Sequence, residues 1–308
     1  MSVADGLALL GAVLLAAAGG EAFLRAIVGT AGVLGVPKAV VASTLAAFAT
    51  SSPELTVSTI TALSGTPQLG LGDALGSNVT NIALIFGLAL LFGPVRAGVG
   101  GLGRDYALAL FVPLLTFAFV FNGVIGRVEA ALLLAVFFIW LVWTVHRTLK
   151  TRPGTREISR PAITPGRLIF LGVFGLVSLL AAGRLFVMGA SGVATALGVD
   201  AYVVGVLLLA FGTSLPELVT VLLARLRGHD DIGVGTLIGS NLFNGLAIVG
   251  VAGLIHPIAL PRAEVALTLA CGVAALLLLP PRSDGVIGRG RGVLLLILYA
   301  GFVWGSLQ

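Results

Sequence analysis

Ten long apolar runs limit what this chain can fold into. A helix needs roughly 20 predominantly apolar residues to cross the hydrocarbon core of a bilayer, and the 308-residue chain is 58% hydrophobic and only 10% charged. The runs are continuous rather than alternating, which favours helices over a β-barrel. We therefore predict an all-α polytopic membrane protein with ten transmembrane helices. The predicted spans cover residues 4–29, 38–64, 69–94, 102–121, 124–147, 166–191, 201–226, 231–255, 260–280 and 291–307.

A polar motif occurs twice inside these runs. Each residue of the second copy follows its counterpart at a constant separation, the one between Thr50 and Thr213, which we call the repeat offset. The first copy reads T-S-S-P-E at 50–54 and G-S-N-V-T-N at 76–81. The second copy reads T-S-L-P-E at 213–217 and G-S-N-L-F-N at 239–244. From Phe48 to Asn81, 14 of the 34 aligned positions are identical to their counterparts without a gap. The chain therefore contains an internal duplication.

The duplication divides the chain into two halves of five predicted spans each. Because five is an odd number, the second half would enter the membrane upside down relative to the first, which gives an inverted repeat. Gly20 in span 1 and Gly183 in span 6 obey the same offset, so the duplication extends beyond the motif. The predicted domains are a first repeat at 1–147, a cytoplasmic linker at 148–165 and a second repeat at 166–308.

A proline lies within span 2 and within span 7 and is expected to break both helices. Pro53 has no N–H, so the carbonyl four residues before it loses its helical partner, and Pro216 occupies the matching position. Each break places a carboxylate, Glu54 or Glu217, beside hydroxyls and backbone carbonyls, an all-oxygen environment that sodium and calcium prefer. A carboxylate within the membrane is costly, so two in matched positions favour a cation site over a simple proline kink.

Two further polar residues of each copy lie one helical turn apart. Ser77 and Asn81 share a helix face, as do Ser240 and Asn244, and each pair can present a hydroxyl and an amide oxygen to a bound ion. Hydrogen bonding between helices in lipid is the alternative for such residues. The second copy of the motif favours the ion-binding interpretation.

The net charge of +5 reports orientation rather than nucleic-acid binding, because the basic residues lie in loops. With the N-terminus outside, 15 of the 18 lysines and arginines fall in or beside cytoplasmic loops. Both termini are therefore expected to be extracytoplasmic. Glu21 and Arg25, four residues apart near the inner end of span 1, are expected to form an interfacial ion pair. The single cysteine, Cys271, excludes an intramolecular disulfide.

Two features outside the motif are interpreted as belonging to the membrane interface. Asp73 has no acidic counterpart, because Thr236 takes its place, and is interpreted as a helix-start charge near the outer surface. Trp140 and Trp143 lie near the end of span 5 and are expected in an interfacial aromatic belt.

The two copies of T-S-x-P-E-L followed by G-S-N-x-x-N resemble the sodium/calcium exchangers of the calcium/cation antiporter (CaCA) superfamily, especially the short prokaryotic members. The resemblance covers the whole chain and places each copy in the second and third spans of a five-span repeat. It implies a secondary active antiporter, not an enzyme, that exchanges calcium for sodium by alternating access in a prokaryotic plasma membrane. Spans 1 and 6 would slide across the rest of the bundle to switch access.

The resemblance also implies a set of metal ligands at mid-membrane, between helices 2, 3, 7 and 8. Four adjoining ion positions would let one calcium ion compete with several sodium ions, and Glu54 and Glu217 would both bind the calcium. Hydroxyl, carbonyl and amide oxygens would complete the site. They would come from Thr50, Ser51, Ser77, Asn81, Thr213, Ser214, Ser240, Asn244 and the backbone of Ala47 and Ala210.

Two departures from the family pattern bear on specificity and regulation. Some branches, including potassium-dependent ones, carry an acidic residue where this chain has Asn244, so potassium dependence is not expected. The large calcium-sensing region that animal exchangers insert between the halves is absent. The implied partners are calcium ions, sodium ions and membrane lipid, with no cofactor, nucleic acid or protein partner.

Three other functions compete with sodium/calcium exchange. A calcium/proton exchanger would use the same carboxylates to take up protons, although the hydroxyl and amide array of the resembled family suits sodium. A cation channel could use the same polar residues, but an inverted repeat favours two-sided access over a pore. An intramembrane hydrolase is disfavoured, because Ser51, Ser52 and Ser214 have no buried histidine or lysine to act as a base.

Overall fold

The structure, a computed structural model, describes residues 3–96, 103–150, 164–196, 211–259, 262–280 and 285–306. These residues are mainly helical, with two pairs of two-residue strands between the helices. The helices are α1 (Val3–Leu34), α2 (Lys38–Thr50), α3 (Ser52–Leu63), α4 (Pro67–Leu91), α5 (Gly103–Phe119), α6 (Arg127–Lys150), α7 (Pro165–Ala196), α8 (Leu215–Leu226), α9 (Asp230–Ile255), α10 (Arg262–Leu277) and α11 (Arg289–Ser306).

Five helices in the described part of the chain are long and apolar enough to cross a membrane, namely α1, α4, α6, α7 and α9. Large apolar side chains lie on the outside of the protein. Leu14 is 61% exposed, Ile139 is 69% exposed and Phe170 is 64% exposed. Soluble monomers rarely expose large apolar patches, whereas lipid tails are as apolar as leucine. The predicted class, an all-α integral membrane protein, is confirmed.

Helices α4 and α9 form the centre of the molecule. Of the apolar window in each helix, 78% is buried in α4 and 83% in α9, compared with 33% in both α1 and α7. Both central helices widen into π-helical turns, at Thr80–Phe86 in α4 and at Phe243–Ile248 in α9. The starts of the two π-helical segments are related by the repeat offset, and such segments often mark functional sites.

Helices α1 and α7 pack along one another through small residues. A Cβ atom added at Gly19 would lie 2.6 Å from the Cβ of Ser178, and one added at Gly175 would lie 2.6 Å from the backbone N of Phe23. Only glycine permits this close approach of two helices. The pair meets the remaining helices mainly through α2 and α8.

Two short strand pairs connect the halves. β1 (Val95–Arg96) pairs antiparallel with β4 (Val286–Ile287), and β2 (Val124–Ile125) pairs antiparallel with β3 (Ile258–Ala259). Each pair joins a segment of the first half to a segment of the second. The repeat offset relates β1 to β3, and β4 begins one position short of that offset from β2. The two pairs therefore repeat nearly the same connection.

The expectation that Trp140 lies in an interfacial belt is wrong. Trp140 is only 4% exposed, and its Nε1 donates a hydrogen bond of 2.9 Å to Asp105 Oδ1 on α5. Trp143 is more exposed, and the guanidinium of Arg104 stacks on its ring. A buried indole N–H needs an acceptor. Here the acceptor comes from a neighbouring helix, which the sequence of α6 does not reveal.

Candidate cation site

The helical path is interrupted at Ser51 and at Ser214, which occupy matching positions of the two motif copies. Ser51 has φ −84° and ψ 10°, and Ser214 has φ −85° and ψ 7°. α3 and α8 begin at the next residue, with a proline in the first turn, where the missing N–H costs the new helix no hydrogen bond of its own. Glu54 and Glu217 lie in the same first turns, where the helix dipole favours a negative charge. Both carboxylates are thus held at helix starts.

The carbonyl left without a helical partner by the proline of α3 has another donor. Ser52 Oγ donates a hydrogen bond of 2.7 Å to the Ala49 carbonyl. The second copy has Leu215 where the first has Ser52, so it has no hydroxyl at this position. The two breaks therefore match in backbone geometry but differ at the residue that donates to the freed carbonyl in the first copy.

The carbonyl of Ala47, a predicted ligand, already accepts two hydrogen bonds. The Ser51 N–H donates over 2.9 Å and Thr50 Oγ1 donates over 3.3 Å. An ion at this carbonyl would have to displace or share the Thr50 bond. The predicted counterpart, Ala210, lies outside the described residues.

Glu217 is fully buried and receives hydroxyl donors from both halves of the chain. Ser51 Oγ and Ser240 Oγ each donate to Glu217 Oε1 over 3.3 Å. The Thr50 hydroxyl also lies beside this carboxylate. Oε2 of the same carboxylate is buried and accepts no hydrogen bond from the residues that the structure describes. Hydroxyls thus hold one carboxylate oxygen, and the other is a candidate ion ligand.

Glu54 is 1% exposed and has a related environment. Ser77 is its side-chain hydrogen-bonding neighbour, and Ser214 Oγ donates to Ser77 Oγ over 3.4 Å. Glu54 Oε2, like Glu217 Oε2, is buried without a partner among the described residues. The two carboxyl groups lie near enough for their negative charges to repel one another. The structure therefore brings together carboxylates and serines from both halves.

Asn81 and Asn244 lie one helical turn beyond Ser77 and Ser240 and carry unpaired amide atoms. Asn81 Nδ2 donates to Asn241 Oδ1 over 3.1 Å, whereas Asn81 Oδ1 has no partner. Both Oδ1 and Nδ2 of Asn244 are buried and have no hydrogen-bond partner in the described part of the chain. Buried polar atoms in native proteins are almost always paired, so these amide oxygens are candidate ion ligands.

A pair of asparagines joins the central helices, and neither of them is among the ligands predicted from the sequence. Asn78 Nδ2 donates to the Asn241 carbonyl over 3.3 Å, and Asn241 Nδ2 donates to the Asn78 carbonyl over 3.2 Å. The two residues are related by the repeat offset and bind each other reciprocally. Both belong to the repeated G-S-N motif, so the signal was present in the sequence, but only the neighbouring serine and the later asparagine were assigned a role.

The interpretation of Asp73 as a helix-start charge is also wrong, because the first turn of α4 contains no acidic residue. Asp73 precedes Ser77 by four residues on α4, so the two residues share a helix face. Its neighbour is the hydroxyl of Thr213, which is only 9% exposed. The Oδ2 atom of Asp73 is buried without a partner, and its negative charge acts on Glu54. Asp73 therefore faces the predicted site, beside Thr213 and near Glu54.

Among the described residues, acidic, histidine and cysteine side chains form no larger metal-binding cluster than the Glu54 and Glu217 pair. In the part of the chain that the structure describes, no group of three or more of them is placed to hold one metal ion. An ion at this place would depend on hydroxyl, amide and carbonyl oxygens in addition to two carboxylates. Oxygen ligands of this kind suit hard cations such as calcium and sodium.

The family model described as "Sodium/calcium exchanger protein" matches residues 6–146 and 167–308. The chain belongs to the sodium/calcium exchanger family. The resemblance inferred from the two motif copies is thereby confirmed. Membership in this family makes the protein a membrane ion exchanger.

Known relatives resemble this exchanger over nearly their whole length. It is 34% identical to the putative antiporter CaxA of Alkalimonas amylolytica, over 87% of this chain and 88% of that protein. It is 29% identical to the sodium/calcium exchanger MaX1 of Methanosarcina acetivorans, over 92% and 93% of the two chains. A solved structure of a sodium/calcium exchanger from Methanococcus jannaschii matches with a TM-score of 0.83 at 26% identity, over 99% of both chains.

Proposed function

We propose that this exchanger moves calcium in one direction and sodium in the other across a prokaryotic plasma membrane, by alternating access. The observation that carries the proposal is the pair Glu54 and Glu217, which are buried and each keep one oxygen without a partner. Among side chains whose burial is described, no lysine, arginine or histidine is buried. Buried charges without a partner of opposite sign are costly. Cations from solution are therefore the natural counter-charge.

The proposed ion ligands come from both halves. Calcium would bind Glu54 and Glu217 jointly, because it accepts an irregular cage of about six to eight oxygens, whereas magnesium demands near-octahedral geometry. The surrounding neutral oxygens provide positions for sodium. They belong to Thr50, Ser51, Ser77, Asn81, Thr213, Ser214, Ser240, Asn244 and the backbone of Ala47 and Ala210.

The proposed topology is ten membrane spans in two inverted five-helix repeats. The first repeat covers 1–147, the second covers 166–308, and the cytoplasmic linker covers 148–165, with both termini extracytoplasmic. Several recurrences support this topology: matched interruptions before α3 and α8, matched π-helical segments in α4 and α9, and two similar strand pairs across the halves. An inverted repeat gives two similar access routes to one central site.

Coupling between the two ions follows from charge. An empty site would leave two carboxylates uncompensated in a medium of low dielectric constant, so moving it between the two access states would be unfavourable. One calcium ion, or two or more sodium ions, would cancel the two negative charges. Only loaded forms then interconvert readily, and each calcium ion that crosses must be replaced by counter-ions on the return.

The decisive experiment is calcium flux in reconstituted vesicles, with sodium, potassium and proton gradients imposed separately. A sodium gradient at clamped pH should drive calcium uptake. Glu54→Gln and Glu217→Gln should each abolish it, because the amide keeps the size of the side chain and removes its charge. Asp105→Asn is the matched control. Asp105 is also buried, but its Oδ1 already accepts the Trp140 hydrogen bond, so this variant should still transport.

Other outcomes would change the assignment. Uptake driven by a pH gradient alone would identify a calcium/proton exchanger. Calcium flux that does not saturate and needs no counter-ion would identify a channel. Full transport by either glutamine variant, in protein that elutes as a single species in detergent, would remove the carboxylate pair from the mechanism.

A further inference from the structure

Asp73 extends the polar face of α4 beyond the proposed ion ligands. Asp73, Ser77 and Asn81 follow one another at intervals of four residues and therefore line one face of the helix. One turn of a helix rises about 5.4 Å, so Asp73 lies one such step nearer the start of α4 than Ser77. In the proposed topology the start of α4 is extracytoplasmic.

The carboxylate of Asp73 has no ionic partner. In the described part of the chain no lysine, arginine or histidine forms an ion pair with it. Its Oδ2 atom is buried without a hydrogen-bond partner, while the residue as a whole stays partly exposed. Thr213 offers a hydroxyl beside it. An accessible carboxylate with an unpaired oxygen next to a hydroxyl is a suitable ligand set for a hard cation.

A second carboxylate oxygen without a hydrogen-bond partner among the described residues belongs to Glu54, which is more deeply buried than Asp73. Glu54 Oε2 is buried without a partner, Glu54 is 1% exposed, and the charges of Asp73 and Glu54 act on each other. Asp73 does not share one ion with Glu54 and Glu217, since the described residues contain no three-acid metal group. Asp73 therefore provides a position of its own, outside the one that the two glutamates share.

The second half lacks this carboxylate. The residue that corresponds to Asp73 is Thr236, which is fully buried with its Oγ1 unpaired. The two matching threonines of the motif therefore have different acidic neighbours. Thr50 lies beside Glu217, whereas Thr213 lies beside Asp73. The two copies therefore differ in charge at this position, although they are otherwise closely similar.

We infer that Asp73 and the Thr213 hydroxyl form an outer cation-binding position, which receives calcium or sodium from the extracytoplasmic side before the ion reaches Glu54. This inference rests on the proposed function and topology. A fixed negative charge raises the local concentration of cations around it. Since the cytoplasmic approach has a threonine at the matching position, the effect is confined to one face of the membrane.

The test compares ion dependence on the two faces, in right-side-out and inverted membrane vesicles. Asp73→Asn should raise the half-saturating extracytoplasmic concentrations of calcium and sodium about tenfold, at the lower end of what electrostatic focusing contributes. The half-saturating cytoplasmic concentrations and the maximal rate at saturating ions should stay unchanged. Asp73→Glu, which keeps the charge, should restore most of the extracytoplasmic affinity. Asp105→Asn should change neither face.

The outcomes separate this inference from the proposed function. If Glu54→Gln and Glu217→Gln abolish exchange while Asp73→Asn leaves both faces unchanged, the function stands and the outer position is refuted. An equal loss of affinity on both faces, or a loss that Asp73→Glu does not reverse, would also refute it. A parent protein that fails to exchange calcium for sodium would instead overturn the proposed function.

Discussion

The central helices α4 and α9 and the outer helices α1 and α7 differ in what holds each pair together. In the central pair, Asn78 and Asn241 exchange hydrogen bonds with each other's backbone, and Asn81 adds a third bond to Asn241 Oδ1. These bonds are directional, so they fix one helix against the other at a single register. Interhelical hydrogen bonds of this kind in lipid contribute about 0.6 kcal/mol each on average.

The outer pair packs through small and apolar residues. Gly19 and Gly175 bring α1 and α7 into close backbone contact, and dispersion contacts of this kind have little directional preference. A packed apolar interface permits small sliding movements. The difference suits a division of labour, since ion ligands need fixed geometry whereas an element that switches access must move at low cost.

Replacing Gly19 by alanine should break the outer pair and give the largest effect. The new methyl would lie 2.6 Å from the Ser178 Cβ, so the helices must separate. Overpacking of this kind typically costs about 1–3 kcal/mol. We expect a lower thermal unfolding temperature and slower exchange, with the half-saturating calcium concentration little changed. Thermal unfolding in detergent and initial rates of calcium flux measure these effects.

Gly301→Ala is the matched control for Gly19→Ala. Gly301 lies on α11, and a Cβ atom there would meet nothing within 4 Å. Alanine is a better helix former than glycine by about 1 kcal/mol, so this variant should be as stable as the parent or slightly more stable. A Gly19→Ala protein that loses calcium affinity but keeps its maximal rate would contradict the assignment of α1 to movement.

Asn241→Ala should break the central pair and give an intermediate effect. The substitution removes the donor to the Asn78 carbonyl and the acceptor for Asn81 Nδ2. We expect the free energy of unfolding to fall by about 1–2 kcal/mol for the two bonds. Because Asn81 loses the group that orients it, the half-saturating calcium concentration should rise. Gly19→Ala is expected to differ, because it should slow exchange and leave the half-saturating calcium concentration little changed.

Two comparisons sharpen the Asn241 prediction. Asn78→Ala removes only one side-chain hydrogen bond, so it should cost less stability than Asn241→Ala. Gln68→Ala removes an amide-to-carbonyl bond to Ala259 at an exposed position, where water can replace it, and should cost least. Equal losses in all three variants would show that the asparagines have no special role in joining α4 to α9.

The sequence carried enough information to find most of the candidate site. The duplicated motif selected Glu54 and Glu217 and the serines that the structure brings near them. Asp73 was missed because its counterpart is threonine, so a comparison of the two copies treated it as an isolated charge. Its spacing of four residues from Ser77 was the available signal. Positions that break a repeat can therefore carry function that the repeat itself does not mark.

Other features depend on tertiary contacts and could not be read from local patterns. Trp140 was assigned to the interface because tryptophan is enriched there, yet Asp105 on another helix accepts its N–H. The two-residue strands are too short to give a recognisable alternation of apolar and polar residues in the sequence. The reciprocal bonds of Asn78 and Asn241 require knowing that α4 and α9 cross at these residues.

Arg227→Gln should give the smallest effect, because it removes a surface contact between the outer pair and the rest of the protein. Arg227 Nη2 lies 2.8 Å from Glu21 Oε2 on α1, and the Arg227 side chain is 57% exposed. Exposed ion pairs contribute about 0–1 kcal/mol. If α1 slides relative to α8, the pair cannot persist in both access states. Its loss should therefore shift the equilibrium between the states by at most about fivefold.

Arg25→Gln is the control that decides what the Arg227 result means. Arg25 Nε lies 2.9 Å from Glu21 Oε1 within α1, which confirms the predicted ion pair. This pair moves with the helix, so its loss should leave the exchange rate unchanged. Raising the ionic strength with choline chloride screens exposed charges and should bring the parent to the rate of Arg227→Gln. Identical changes in both variants would mean that α1 does not move against α8, and the division between a fixed centre and a moving outer pair would fail.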